Sequence, residues 1–156
     1  MKIQDPKRLA RYLKGKKDVL LLAGSLCDEV DLNGAKLLDY AAQLALKLGA
    51  PVGATANTNQ GLRQQGVENT KKMYAAELVK FMQGEWLEPI TPRRPKIVVL
   101  VGYPPEVARS LLSNLKDVAT VVLGPSYLEE ATRSTPDLSL KAWGDYLGTL
   151  VQALEG

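Results

Sequence analysis

Cys27 is the only thiol in a chain of 156 residues, and histidine is absent altogether. A zinc site typically takes four Cys, His or carboxylate ligands, and an iron–sulfur cluster takes about four thiolates. Neither can be assembled from this inventory, and Ser-His-Asp and Cys-His nucleophile systems lack their base. The groups left for chemistry are glycines, hydroxyls and backbone amides, concentrated at Gly24-Ser25, Thr55-Ala56-Asn57-Thr58 and Gly102-Tyr103. Glycine lets a backbone approach a phosphate closely, and a helix that starts just beyond it favours an anion. The alternative is that these glycines only make tight strand-to-helix turns. Neither GxGxxG nor GxxxxGK[ST] occurs, so the spacing allows a nucleotide or FAD without specifying one. Cys27 beside a helix N-terminus would be acidified, whereas a buried free cysteine acts as a small hydrophobe. Asp28, Glu29 and Asp31 are the nearby groups that could serve as acid or base.

These positions acquire meaning from the elements that precede them. Asp5 and Pro6 read as the N-cap and first position of a basic helix over 5–15, with Leu9 and Leu13 inward. Asp18–Ala23 is a short apolar run closed by Gly24-Ser25, which predicts a strand buried on both faces. Residues 34–48 place Leu37, Leu38, Ala41, Ala42, Ala45 and Leu48 on one helical face, and Gly49 stops the helix. Pro51–Thr55 is the next strand, completing a strand–helix–strand unit with parallel strands.

The stretch 56–73 is polar and turn-rich, with one short helix near Gln60–Gln64. A helix carrying Ala75, Leu78, Val79 and Met82 follows, then an irregular connection over 84–95 with Pro89, Pro92 and Pro95. Ile97–Gly102 is the plainest strand. Pro104-Pro105 opens a helix on which Val107, Ala108, Leu111, Leu112 and Leu115 share a face, and Val118–Leu123 is another strand. Leu140–Leu154 is helical, with Trp143, Leu147, Leu150, Val151 and Leu154 inward. Gly144 and Gly148, one turn apart, suggest close approach of another backbone, inside this chain or in a partner. The pattern predicts one three-layer α/β domain spanning 1–156 with a mostly parallel sheet. In such sheets ligands sit beyond the strand carboxyl ends where strand order reverses. That makes Gly24, Ser25, Thr55, Asn57, Gly102 and Tyr103 the candidate cofactor residues.

The net charge of +3 hides an asymmetry. Residues 1–17 carry seven basic side chains against Asp5 alone, and the remainder is mildly acidic. A basic arm on an acidic body suits an acidic protein surface or a solvated helix face. No recognition motif supports a nucleic acid. No apolar run approaches a membrane span, the first residues lack an apolar h-region, and one cysteine cannot form an internal disulfide. A cytoplasmic location is the expectation.

From about Val19 to Leu150 the sequence resembles the epsilon subunit of the archaeal-type carbon monoxide dehydrogenase/acetyl-CoA synthase (acetyl-CoA decarbonylase/synthase) complex. The resemblance is carried by Ala50-Pro51-Val52-Gly53-Ala54-Thr55-Ala56-Asn57-Thr58 and Ile97-Val98-Val99-Leu100-Val101-Gly102. Val122-Leu123-Gly124-Pro125-Ser126-Tyr127 and Trp143-Gly144-Asp145-Tyr146-Leu147 add to it. It implies a Rossmann-like fold similar to the central domain of thiamine-diphosphate enzymes. It also implies a non-catalytic subunit of an anaerobic one-carbon enzyme, stabilising the large nickel–iron–sulfur subunit and assisting FAD-linked electron transfer. One departure stands out: where the family commonly has a basic, histidine-bearing loop, this chain reads Pro125-Ser126-Tyr127-Leu128-Glu129-Glu130, which disfavours phosphate.

A subunit without chemistry of its own needs an extended contact, with aromatic and arginine anchors. The candidates are Trp86, Arg93 and Arg94 in the 84–95 connection, Arg63 in the 56–70 stretch, and the basic first helix, with self-association as a further use. Replacing Trp86 and Arg94 is expected to weaken association while leaving the domain's melting little changed. The 56–70 stretch is expected on the same sheet edge as the pocket, so partner and ligand would share a surface. The competing reading is a small nucleotide-dependent enzyme built on a Gly102 pocket, in which Gly102→Leu would block binding and spare the fold.

Overall fold

Val19–Ala23 and Ile97–Val101 are buried at every position, as strands covered on both faces require. The computed structural model describes residues 5–32, 34–86 and 93–155. In chain order the elements are α1 (Pro6–Leu13), β1 (Val19–Ala23), α2 (Leu26–Glu29), β2 (Asp31–Leu32), β3 (Ala35–Lys36) and α3 (Leu37–Leu48). Then come β4 (Val52–Ala54), α4 (Ala56–Gln64), β5 (Thr70–Lys72), α5 (Ala75–Gln83) and β6 (Ile97–Val101). The remainder is α6 (Pro105–Asn114), β7 (Ala119–Val122), β8 (Arg133–Ser134) and α7 (Leu140–Glu155).

Six strands form one sheet in the order β5-β4-β1-β6-β7-β8, with every neighbouring pair parallel. Alternation along each strand divides the core in two. Leu21, Ala23, Val99 and Val101 face α1, α3, α4 and α7, while Leu20, Leu22, Val98 and Leu100 face α5 and α6. The result is a three-layer Rossmann-like α/β fold. No helix among the described residues is long and apolar enough to cross a membrane.

Local chemistry sets the helix ends. Asp5 caps α1, its carboxylate accepting the Arg8 N–H at 2.9 Å, and that bond holds its pKa below the ordinary carboxylate value. Gly49 ends α3 in the left-handed region at φ 61°, where its N–H and that of Ala50 both close on Ala45 O. β1 and β7 are each entered through a Lys-Asp pair, Lys17-Asp18 and Lys116-Asp117, with both aspartates left-handed at φ 59° and 61°.

The structure corrects several expectations. The helix placed at 34–48 starts at Leu37, because Ala35–Lys36 pairs antiparallel with Asp31–Leu32. The 56–73 stretch holds a nine-residue helix, α4, and an edge strand, β5. Val107 is not on the buried face of α6 but is 41% exposed. A Cβ on Gly148 would meet only the Tyr40 ring at 4.0 Å, so no second backbone among the described residues of this chain approaches that glycine. Much of the proline-rich connection, including Pro89 and Pro92, lies outside the described residues, as does Lys2 of the basic arm.

Space around Gly49 is open, so a side chain there meets no atoms and only the backbone opposes it. Gly49→Ala should therefore lower the unfolding free energy by about 1 kcal/mol. Gly49→Asn, which tolerates the left-handed region, should lose less. Urea unfolding of the three proteins checks this order.

Candidate functional site

Strand order reverses between β1 and β6, so a ligand crevice would open between Gly24 and Gly102. Instead the two loops are joined. Gly24 N–H donates to Val101 O at 2.8 Å, and Leu26 N–H donates to Gly102 O at 3.0 Å. A Cβ on Gly24 would run into the Gly102 carbonyl and the Tyr103 ring. A Cβ on Gly102, which has φ 87°, would lie 2.5 Å from Cys27 Sγ and 2.9 Å from Gly24 O. Both glycines are therefore required by contact between backbones. The expectation that Gly102→Leu would spare the fold is overturned by this geometry.

Cys27 fills the space beneath that contact. It is fully buried, its thiol faces Val101 O at 3.8 Å, and burial followed by the Asp28 charge pushes its pKa up to about 12. Of the two readings of Cys27, the small hydrophobe is the one that fits, and the acidified thiol is not, because α2 is only four residues long and the sulfur is shut from water. Burial also pushes the Tyr103 hydroxyl well above its usual value, with the neighbouring Cys27 adding to the effect.

Room exists beside the closed crevice. A groove of about 460 Å³ lies between the start of α5 and α6, walled by Tyr74, Val107 and Leu111, with Thr55 and Tyr103 at its inner end. Tyr74 is 52% exposed, so the lining is apolar yet reaches water. Ser25 and Asn57 point outward from the neighbouring turns and do not line it.

The surrounding charges do not fit a pyrophosphate. Asp28 and Glu29 lie in the first turn of α2, and Glu106 lies in that of α6. Prolines 104 and 105 remove two amide donors from the start of α6. At the start of α4 the buried Thr58 hydroxyl donates to Asp28 Oδ2 at 2.6 Å and accepts from Thr55 Oγ1 at 3.2 Å. The helix starts around the crevice, those of α2, α4 and α6, each already have a carboxylate at hand. Of the six candidate cofactor residues, Thr55 and Tyr103 reach the groove, Gly24 and Gly102 close the crevice, and Ser25 and Asn57 stand apart.

The interface candidates lie at the opposite end of the sheet. α4 runs from the carboxyl end of β4 back to the start of β5, where Arg63 Nη2 donates to Thr70 O at 2.7 Å. The 56–70 stretch therefore begins beside the ligand candidates, as expected, while its anchor Arg63 lies at the other end. Arg94 donates to Met82 O at 3.0 Å and Gly84 O at 2.6 Å, holding the end of α5, and Trp86 packs edge-on against Phe81 with ring centroids 6.3 Å apart. Removing Trp86 and Arg94 together would loosen that end, against the expectation of unchanged melting. Arg93, 74% exposed, pairs with Asp18 Oδ1 at 3.3 Å and so joins the connection to the start of β1. Tyr12, Lys96 and Arg133 gather there too, unmarked by any sequence pattern except the Lys-Asp turn. Trp143, in the closing run that carried the resemblance, ties α7 to the sheet by donating from Nε1 to Leu123 O at 3.2 Å.

Gly102→Ala should cost about 2–5 kcal/mol, combining left-handed strain with overpacking, and equilibrium unfolding will read it. The buried thiol gives a second expectation. Unfolded Cys27 ionises near the ordinary thiol value of 9.0, and folded Cys27 only at about 12, so above pH 9 the unfolded state gains by releasing the proton. Stability should fall between pH 9 and pH 11 more steeply in the parent than in Cys27→Ala, by about 1.4 kcal/mol per pH unit.

No protein-family model matches the chain. The chain is similar to acetyl-CoA decarbonylase/synthase complex subunit epsilon 1 of Archaeoglobus fulgidus. The two are 27% identical over 139 residues, which cover 86% of this chain and 73% of the relative. This relative is of the family that the strand ends and the closing helix resemble.

Proposed function

We propose that the chain is an accessory subunit of an acetyl-CoA decarbonylase/synthase complex. In this reading it has no catalytic residues and stabilises a large nickel–iron–sulfur carbon monoxide dehydrogenase subunit by surface contact. The observation that carries the reading is the similarity to an epsilon subunit across most of both chains. The residue inventory supports it. Cys27 is buried and protonated at neutral pH, and among the described residues no three His, Cys, Asp or Glu side chains converge as a metal would require. The chain would then serve metal chemistry from outside the metal-bearing subunit.

The reading does not extend to a flavin across the strand ends, where the crevice is closed and carboxylates stand at the helix starts. The same geometry tells against a nucleotide-dependent enzyme built on Gly102. Arg63, Trp86, Arg93 and Arg94 belong in this proposal to the partner-facing end of the sheet. Arg93 and Arg94 are both exposed, while the half-buried Trp86 shapes the surface from behind.

Anaerobic co-expression with the large nickel–iron–sulfur subunit from the same source should yield one complex on size exclusion. After separation, nickel and iron should remain with the large subunit, leaving well under one metal ion on this chain. Independent elution of the two chains would overturn the reading.

A further inference from the structure

Lys16 and Lys17, which precede β1, and Arg93 and Lys96, which precede β6, line two adjoining grooves of about 400 and about 500 Å³ at the amino end of the sheet. All four are exposed. Among the described residues Asp18 is the one carboxylate in either lining, and Arg93 pairs with it. Behind them the Arg133 guanidinium lies 3.5 Å from the centre of the Tyr12 ring, and Lys16 Nζ lies 5.1 Å from the same centre. Arg133 Nε is buried with no acceptor. Lys16, Lys17 and Lys96 thus line the same end of the sheet, where the one carboxylate among the described lining residues is already paired with Arg93. That arrangement is relieved by a negative occupant.

We propose that this end of the sheet is a docking surface for an acidic segment of a protein partner, one that interleaves carboxylates with apolar side chains. The proposal deepens the accessory-subunit reading and rests on it, since it says which surface that subunit presents and to what chemistry. Three observations select a peptide. Leu48, Pro51 and Pro95 wall one groove and Ile97 the other, offering carbon surface between the cations. Asp18 stands at the junction, where it repels a polyphosphate but can accept a peptide N–H. The Tyr12 ring is covered by Arg133 and Lys16, which removes it as a platform for a base.

The binding is electrostatic in its selectivity and must weaken with salt. The probe is a fluorescein-labelled peptide of alternating glutamate and leucine, titrated with the full chain and followed by anisotropy. Lys17→Glu combined with Lys96→Glu changes two exposed lysines. Lys71→Glu with Lys72→Glu makes the same charge change at the far edge of the sheet. The first pair should weaken binding by roughly tenfold or more and the second by much less, since only the first faces the grooves. Equal losses from both pairs, or none from the first, would overturn the proposal. Tighter binding of an oligothymidylate of matched charge, lost in the first pair, would instead make this a nucleic-acid surface and overturn it too.

Complex formation with the large subunit separates the two readings. If the parent fails to join it, the accessory reading falls. If the parent joins it and the Lys17/Lys96 pair joins it equally well at all salt concentrations, the docking surface falls and the accessory reading stands.

Discussion

Contact between the Gly24 and Gly102 backbones governs how the rest of the molecule is arranged. β1 and β6 pair along their full lengths, and beyond the last paired residues the hydrogen bonds continue into the loops through Gly24 N–H and Leu26 N–H. In an open sheet whose order reverses at this point, the two loops usually diverge and leave a crevice. Here they stay joined, so the space between them becomes core. Cys27 and Tyr103 fill it, and their ionisation is suppressed as a consequence. A position that would normally receive a ligand has become the hinge pin of the sheet.

The two ends of the sheet differ in charge, and the helix dipoles account for part of the difference. All six strands of the main sheet are parallel, so the helices that follow them start at the carboxyl end and finish at the amino end. Glu77 and Glu106 in first turns, with Lys47, Arg63 and Lys80 in last turns, complement those dipoles. Lys16, Lys17, Arg93 and Lys96 do not belong to this set. They lie on strand entries rather than in helical turns, so the macrodipole gives no reason for their number.

The fold was legible where one periodicity ran long enough to dominate. The five apolar residues of β1 and of β6, the amphipathic α3 and α7, and the Asp5-Pro6 cap all carried their own signals. The edge strands did not. Thr70-Lys71-Lys72 and Arg133-Ser134 have two or three residues each, and they are strands because a neighbour offers backbone groups rather than because of their side chains. The Asp31–Lys36 hairpin is hidden for the same reason. At the candidate site, glycines after strands were readable as close approach, but not what they approach. A ligand and another loop make the same demand on glycine, and only the register of β1 against β6 tells them apart.

Those short edges carry a consequence for assembly. A six-stranded parallel sheet has two unsatisfied borders, and either could template pairing with another chain. One border ends in Lys71 and Lys72, both exposed, and the other is a two-residue strand bearing Arg133. Two copies paired through β5 would set Lys71 and Lys72 against the same lysines, and β8 offers only two residues for pairing. Growth of the sheet from one molecule into the next is discouraged, and association is directed onto helices and loops, where a contact closes instead of propagating. A chain with such borders is protected in this way from polymerising with itself.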